Sequence, residues 1–289
     1  MTDAYQIDKR YLRRSFSRAA QSYDAAAVMQ REVFERMFSR LDLVKLSPGR
    51  ALDAGCGTGW GIQRLAERYP QSQLLALDIA PQMLAMAASR RGWMERLPWK
   101  RRQGYICGDI EALPLAANSV DLVWSNLAIQ WCNDLDLTFG EFHRVMRPDG
   151  LLMFSTFGPD TLMELRAASA GDEEHPHVSR FLDMHDIGDA LVRAGFADPV
   201  MDMERITLTY DDVKALMRDL KAIGAHNATE GRRRGLEGKS FLRKLAENYE
   251  RFRLDGKLPA TYEVVYGHAW KAQSKTNDGG QPIRIFPRK

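Results

Sequence analysis

The residues with the plainest chemical promise are Asp53, Gly55, Gly57 and Gly59, in the stretch Ala51-Leu52-Asp53-Ala54-Gly55-Cys56-Gly57-Thr58-Gly59. Glycines at alternate positions let a backbone turn sharply and approach a ligand with no Cβ in the way. The spacing is G-x-G-x-G rather than G-x-G-x-x-G, and no Lys-Ser/Thr pair follows, as a phosphate-cradling loop requires. An acid two positions before the first glycine would repel a pyrophosphate, but it can hydrogen-bond an amino group. A second acid, Asp78, closes the apolar run from Gln73, 19 residues beyond Gly59. At about 20 residues past such a loop, a carboxylate can accept from both hydroxyls of a ribose. The competing readings are a nucleotide-binding or purely structural turn at the glycines, and at Asp78 a strand-end acid capping the helix that starts near Pro81. His175, His177 and His185 resemble metal ligands singly. Without cysteines or paired acids at ligand spacing, no metal is expected.

These residues must be held by strands and helices in alternation. Leu52 ends a buried strand, and Ile62, Leu65, Ala66 and Tyr69 recur at helical spacing behind the loop. Gln73 to Asp78 reads as a second strand, followed by a helix carrying Met83 and Leu84. Gly104 to Ile110 reads as a third, ending at Asp109. Asn118 to Asn126 is a turn and a fourth strand, with Asn126 and Leu127 at its carboxyl end, where open α/β sheets bind ligands. Gln130 and Trp131 lie just beyond; Trp131 reads equally as a cleft or a core aromatic. A helix over Phe139–Met146 and a strand over Leu151–Phe157 complete a parallel, doubly wound pattern. A helix over Asp186–Ala194 leads to two strands, Val200–Tyr210 and Tyr262–Lys271, expected to pair. About fifty residues separate them, too many for a turn, so they read as an inserted helical unit. Its helices span Asp211–Ile223 and the region of Leu242, Leu245, Tyr249 and Phe252, with Arg232-Arg233-Arg234 between them.

Ahead of the glycine loop, Ile7 to Tyr23 is amphipathic. Ile7, Tyr11, Phe16, Ala19 and Tyr23 make an apolar side, and Lys9, Arg10, Arg13, Arg14 and Arg18 a basic one. Such a segment serves either as a solvated cap on the core or as a lid over the ligand. A second helix is expected over Val28–Leu46. The organisation that follows is a helical lid over 1–46, an α/β core over 47–210, an inserted unit over 211–260, a last core strand over 261–272 and a disordered tail over 273–289.

Composition excludes several classes. A hydrophobic share of 45% over 289 residues suits a globular α/β chain, and a net charge of +3 gives no global nucleic-acid signature. The cysteines, Cys56, Cys107 and Cys132, have no C-x-x-C spacing, which argues against a disulfide scaffold and fits a reducing, cytoplasmic setting. No apolar run approaches the roughly 18 residues of a membrane span. No signal core is visible at the N-terminus, and Asp3, Asp8 and Asp24 count against a transit peptide.

The stretch Asp53 to Gly59 resembles the S-adenosylmethionine loop of class I methyltransferases. That resemblance implies a mostly parallel seven-stranded sheet with S-adenosylmethionine as cofactor. It places Asp53, Gly55, Gly57, Gly59, Asp78, Ile79, Met83, Asn126 and Leu127 around the cofactor, with Asp109 and Ile110 at the adenine. Three further segments narrow it. Lys9 to Asp24 reads K-R-x-L-x-x-S-F-S-R-A-A-x-S-Y-D; Leu220 to Asn227 runs on to Arg232-Arg233-Arg234-Gly235; Thr261 to Trp270 reads T-Y-E-V-V-Y-G-H-A-W. Together they resemble the malonyl-[acyl-carrier protein] O-methyltransferases of biotin synthesis. The resemblance implies methylation of the free carboxylate of malonyl-acyl carrier protein, an acidic partner expected on the basic N-terminal face and near Arg232–Arg234. A malonyl carboxylate is already ionised at neutral pH, so no general base is needed. One or two direct contacts should orient it, from among Lys9, Tyr23, Gln130, Trp131, His226, Arg232, Arg233 and Arg234. The competing readings are an arginine hydroxylase similar to those serving respiratory complex I assembly, a methyltransferase of another small acid, and a binding module without turnover.

Overall fold

The computed structural model describes residues 6–92, 102–169, 181–224 and 239–273. The apolar runs form one seven-stranded sheet: β1 (Arg50–Ala54), β2 (Gln73–Asp78), β3 (Gln103–Cys107), β4 (Val120–Asn126), β5 (Met146–Phe157), β6 (Ala197–Tyr210) and β7 (Leu258–Trp270). Their spatial order is β3-β2-β1-β4-β5-β7-β6. The first five are parallel, and β7 runs antiparallel between β5 and β6. Strands covered on both faces by helices read as nearly continuous apolar runs, and β2 is buried from Leu74 through Asp78.

Alternate strand residues point to opposite faces, so the core divides in two. Ala51, Leu74, Ala76, Leu122, Trp124 and Met153 pack on one face, against α3 (Val28–Ser39), α4 (Trp60–Arg68) and two helices lying in sequence between β6 and β7, α9 (Val213–Ala222) and α10 (Lys239–Tyr249). Leu52, Leu75, Leu77, Val123, Leu152 and Phe154 pack on the other, against α6 (Leu135–Val145) and α8 (Met184–Arg193).

Several boundaries differ from the sequence reading. The expected helix over Val28–Leu46 is α3 ending at Ser39, followed by a 3-10 turn over Arg40–Leu43. Strand β3 stops at Cys107, because Gly108 donates its N–H to the Asp78 carbonyl (3.1 Å) and the chain then turns. Strand β5 starts at Met146, which already pairs with Val120 ahead of a register shift. A short helix, α7 (Met163–Ser169), was not anticipated. The N-terminal segment divides into α1 (Lys9–Ala19) and α2 (Tyr23–Ala26). Asp8 starts α1 by accepting from the Tyr11 N–H at 3.0 Å, a standard N-cap. Its inner side buries Leu12, Ser15 and Ala19, while Arg10, Arg13, Arg14 and Arg18 are exposed. The expected surface excursion from Trp93, the loop at 169–178 and the tail fall almost wholly outside the described residues. Among the described residues, no helix is long and apolar enough to cross a membrane.

Candidate functional site

The strand order reverses between β1 and β4, which opens a crevice at the carboxyl ends of the strands. The glycine loop leaves β1 there and is strapped to β2 by the N–H groups of Gly55 and Cys56, which donate to the Leu77 carbonyl at 2.8 and 2.9 Å. Gly55 has φ +85°, and a Cβ on it would lie 2.3 Å from that of Ala128, so only glycine fits. Gly59 sits behind the loop, where a Cβ would meet Ala87 at 2.6 Å; it lets α5 (Pro81–Ser89) pack close and does not line the crevice.

Asp78 ends β2 and accepts from the N–H of Gly57 (2.9 Å) and of Ala80 (2.8 Å), one on each carboxylate oxygen. Each oxygen keeps lone-pair capacity for a further donor. Burial pushes its pKa up to about 6, against the lowering by those two backbone bonds. Around it lies a cleft of about 600 Å³, counting its open mouth, lined by Ile79, Met83, Asp109, Ile110, Leu127 and Trp131 among others. Helix α1 roofs this cleft with Leu12 and Phe16, and Phe16 meets Trp131 edge-on with centroids 5.5 Å apart. Lys9 also reaches the cleft, but its ammonium is paired with Asp109 (3.0 Å) and Glu111 (2.5 Å). Its charge is therefore engaged at the Asp109 end.

A second cleft, of about 500 Å³, lies across the glycine loop between Asp53, Gln30, Arg31, Thr58 and Trp124. Three of its lining residues each carry a buried polar atom with no hydrogen-bond partner: Asp53 Oδ2, Gln30 Oε1 and Trp124 Nε1. Orphaned buried polar atoms are costly, and their convergence marks a place built for a polar ligand. Asp53 is only 3% exposed, and burial, with the nearby Asp78 charge, pushes its pKa up to about 8. Arg31 stands across from it, one arm of its guanidinium donating to the Asp24 carbonyl. The Asp24 side chain accepts from Thr58 Oγ1 at 2.5 Å and from Arg90. It thereby clasps α2 to the glycine loop and to the end of α5.

Tyr23, Gly55, Gly57 and Asn126 border both clefts, so the two meet at these four residues. Tyr23 is held neutral there by burial, with Asp78 and Asp24 raising its pKa further. The Asn126 amide is fixed by Ser155 Oγ (2.9 Å) and the Gln30 carbonyl (3.0 Å). Leu127 follows with φ +48°, an uncommon backbone state for leucine, and its N–H is bound by the Ser155 carbonyl and hydroxyl at 3.1 and 3.0 Å. Gln130 turns its amide to the Leu127 carbonyl at 2.7 Å, buttressing this bend rather than facing the clefts.

The structure thus brings Lys9, Tyr23, Asp53, Gly55, Gly57, Asp78, Ile79, Met83, Asp109, Ile110, Asn126, Leu127 and Trp131 to the paired clefts, and leaves Gly59 and Gln130 behind them. His226, Arg232, Arg233 and Arg234 lie outside the described residues. Gln30, Arg31 and Thr58 escaped the sequence reading as cleft residues. Periodicity assigns the first two to a helix, and the only local hint is polar residues interrupting the apolar side of α3.

A family model described as a methyltransferase domain matches residues 52–154. The chain is 63% identical over 288 residues to the malonyl-[acyl-carrier protein] O-methyltransferase of Methylovorus sp. strain MP688, covering 99% of this chain and 97% of that one. It is 56% identical to the protein of the same name from Laribacter hongkongensis strain HLHK9, covering 99% of each. Among solved structures, the YcgJ protein of Bacillus subtilis superposes with a TM-score of 0.57 at 14% identity, over 82% of this chain and 98% of that one. Haemonchus contortus phosphoethanolamine N-methyltransferase 2, in complex with S-adenosyl-L-methionine, superposes with a TM-score of 0.53 at 18% identity, over 89% of this chain and 57% of that one. At these identities the two structures speak for the fold.

Proposed function

The chain belongs to the malonyl-[acyl-carrier protein] O-methyltransferase family, and we propose that it methylates the free carboxylate of malonyl-acyl carrier protein, giving the ester that primes pimeloyl formation in biotin synthesis. The observation that carries the site is the meeting of two clefts, one around Asp78 and one around Asp53, at Tyr23, Gly55, Gly57 and Asn126. S-Adenosylmethionine fits both. Asp78 takes the ribose hydroxyls, while Ile79, Met83, Asp109 and Ile110 surround the adenine. In the second cleft Asp53 and Gln30 Oε1 accept from the ammonium of the methionyl end, and Arg31 and Trp124 Nε1 donate to its carboxylate. When bound, the cofactor supplies a sulfonium methyl; a malonyl oxygen forms the new C–O bond as the C–S bond breaks, its electron pair going to sulfur.

No residue needs to remove a proton, because the acceptor is already an anion. Anion and cation become two neutral groups in this transfer. An apolar, water-poor site favours such charge loss, and Leu12, Phe16, Leu127 and Trp131 supply it. The rest is positioning. Tyr23 stands at the junction as a neutral donor. Among the described cleft residues, Lys9 is committed to Asp109 and Glu111 and Arg31 to the methionyl side. The candidates left for the cation that orients malonate are His226, Arg232, Arg233 and Arg234, outside the described residues. The described chain reaches the roof just before them, at Gly224, whose added Cβ would lie 3.1 Å from Ala19 and Phe16. The basic face of α1, with the Arg232–Arg234 region, receives the acidic carrier.

The relatives' name favours this reading over arginine hydroxylation and over another small acid. A methyl ester is base-labile and an N- or C-methyl group is not. Methyl groups transferred from labelled S-adenosylmethionine to malonyl carrier should leave as methanol in mild alkali. Label that survives would reject the carboxylate as acceptor.

A further inference from the structure

Helix α1 has two faces with different tasks, and we infer that docking of an acidic carrier protein on its outer face tightens cofactor binding beneath its inner face. This rests on the reading that the clefts take S-adenosylmethionine and that a carrier protein brings the acceptor.

The inner face is a roof tied down at both ends. At the start, Ile7 and Asn133 exchange two hydrogen bonds, of 2.6 and 3.2 Å, and Lys9 pairs with Asp109 and Glu111. At the end, Ser22 Oγ donates to the Ala222 carbonyl at 3.0 Å, and Asp24 clasps Thr58 and Arg90. Between these ties Leu12 and Phe16 cover the adenosine cleft, with Phe16 set against Trp131. These ties hold Leu12 and Phe16 over one side of the cleft, so a ligand beneath them and the closed roof support each other.

The outer face carries Arg10, Arg14 and Arg18 at successive turns, with Arg13 beside them, all exposed. Among the described residues none of the four makes an ion pair, whereas Arg36, Arg40, Arg64, Arg68, Arg144 and Arg147 are each paired with an acid. Like charges one turn apart repel and disfavour the helix that bears them. Within α1 the first turn carries no acid, the nearest being the N-cap Asp8, which accepts from the Tyr11 N–H. A partner with acidic side chains at that spacing relieves the repulsion only while α1 is helical and docked. Such a partner binds the closed roof more tightly than the open one, and that difference is what couples two sites. By reciprocity the cofactor tightens carrier binding by the same factor.

The test uses the full-length protein, S-adenosylhomocysteine as a non-reacting ligand, and holo-acyl carrier protein without malonate, so no turnover intervenes. Calorimetry should give a Kd for S-adenosylhomocysteine that falls about fivefold or more when carrier is saturating. The gain should vanish in Arg10→Gln/Arg14→Gln/Arg18→Gln, with an unchanged melting temperature reporting an intact fold. It should also shrink at high salt, as an electrostatic contact must. Carrier that binds without changing the Kd overturns the coupling, and a gain that survives the triple substitution overturns the assigned surface. Either failure leaves the transfer reaction standing, because that is read separately on malonyl carrier.

Discussion

Asp53 is a buried carboxyl group that, on the proposed reading, meets the ammonium of the cofactor's methionyl end. Burial and the Asp78 charge push its pKa up to about 8, favouring the protonated form near neutrality, and an ammonium against Oδ2 would restore its charge and expel the proton. Cofactor affinity should therefore rise from about pH 6 to about pH 8, by at most about tenfold per unit. Titration of S-adenosylhomocysteine across that range checks this; a flat profile contradicts it. The linkage to stability has the opposite sense. A carboxyl group whose folded pKa is raised stabilises fully below its unfolded value, and that stability is lost as pH rises through the folded value. At pH 8 the ligand-free Asp53→Asn protein should thus melt above wild type, by about 1 kcal/mol or more in stability, yet bind cofactor poorly. Asp78 acts more simply. Asp78→Asn keeps the size but sets an NH2 donor against one of the two backbone N–H groups as well as removing the charge, and should raise the Kd for S-adenosylhomocysteine about ten- to a hundredfold. Both acids were legible in the sequence because their signal is local: an acid at a fixed distance from a glycine turn, and another about 20 residues on. Arg31, Gln30 and Thr58 were not, because their meaning depends on contacts across the fold. Thr58 bonds Asp24 across 34 positions, and Arg90 reaches the same carboxylate across 66.

At the scale of elements, the glycine loop and the N-terminal roof are the parts that border both clefts and so carry the proposed reading. A Gly55→Ala side chain would overlap Ala128 at 2.3 Å in a left-handed backbone, which costs about 1–3 kcal/mol for the clash and about 1 more for the conformation. Thermal melting should show the loss, and Ala128→Gly in the same chain should recover the clash portion alone. Asp24→Ala removes the clasp among α2, the loop and α5. Amide hydrogen exchange over residues 9–26 should quicken and cofactor affinity fall, while the sheet keeps its protection. Unchanged exchange would show that other ties suffice. Strand and helix alternation predicted the sheet well, since periods of two and 3.6 are imposed by backbone geometry. The misses came where tertiary contacts decide. Strand β7 begins at Leu258 rather than Tyr262 because β6 offers partners that far, from Tyr210 onward. Helix α7 is too short for its periodicity to stand out.

For the whole molecule, cofactor and partner lie, on the proposed reading, on opposite sides of one thin helix, whose inner side roofs the cleft and whose outer side exposes Arg10, Arg13, Arg14 and Arg18. A net charge of +3 hides this, because the exposed arginines of α1, which form no ion pair among the described residues, are offset by acids elsewhere in the chain. The sequence displayed the basic stripe but not that it forms no ion pair among the described residues, which only a folded chain reveals. Carrier recognition through that stripe also predicts a preference for the thioester on carrier protein over the same thioester on coenzyme A, visible as a lower KM at low salt that converges at high salt. The most direct test of the central claim is the intact mass of malonyl-acyl carrier protein after incubation with this protein and S-adenosylmethionine. The account predicts a gain of one CH2 group that requires the cofactor and is abolished by Asp78→Ala. An unmodified carrier, with S-adenosylmethionine demonstrably bound to the protein, would contradict it.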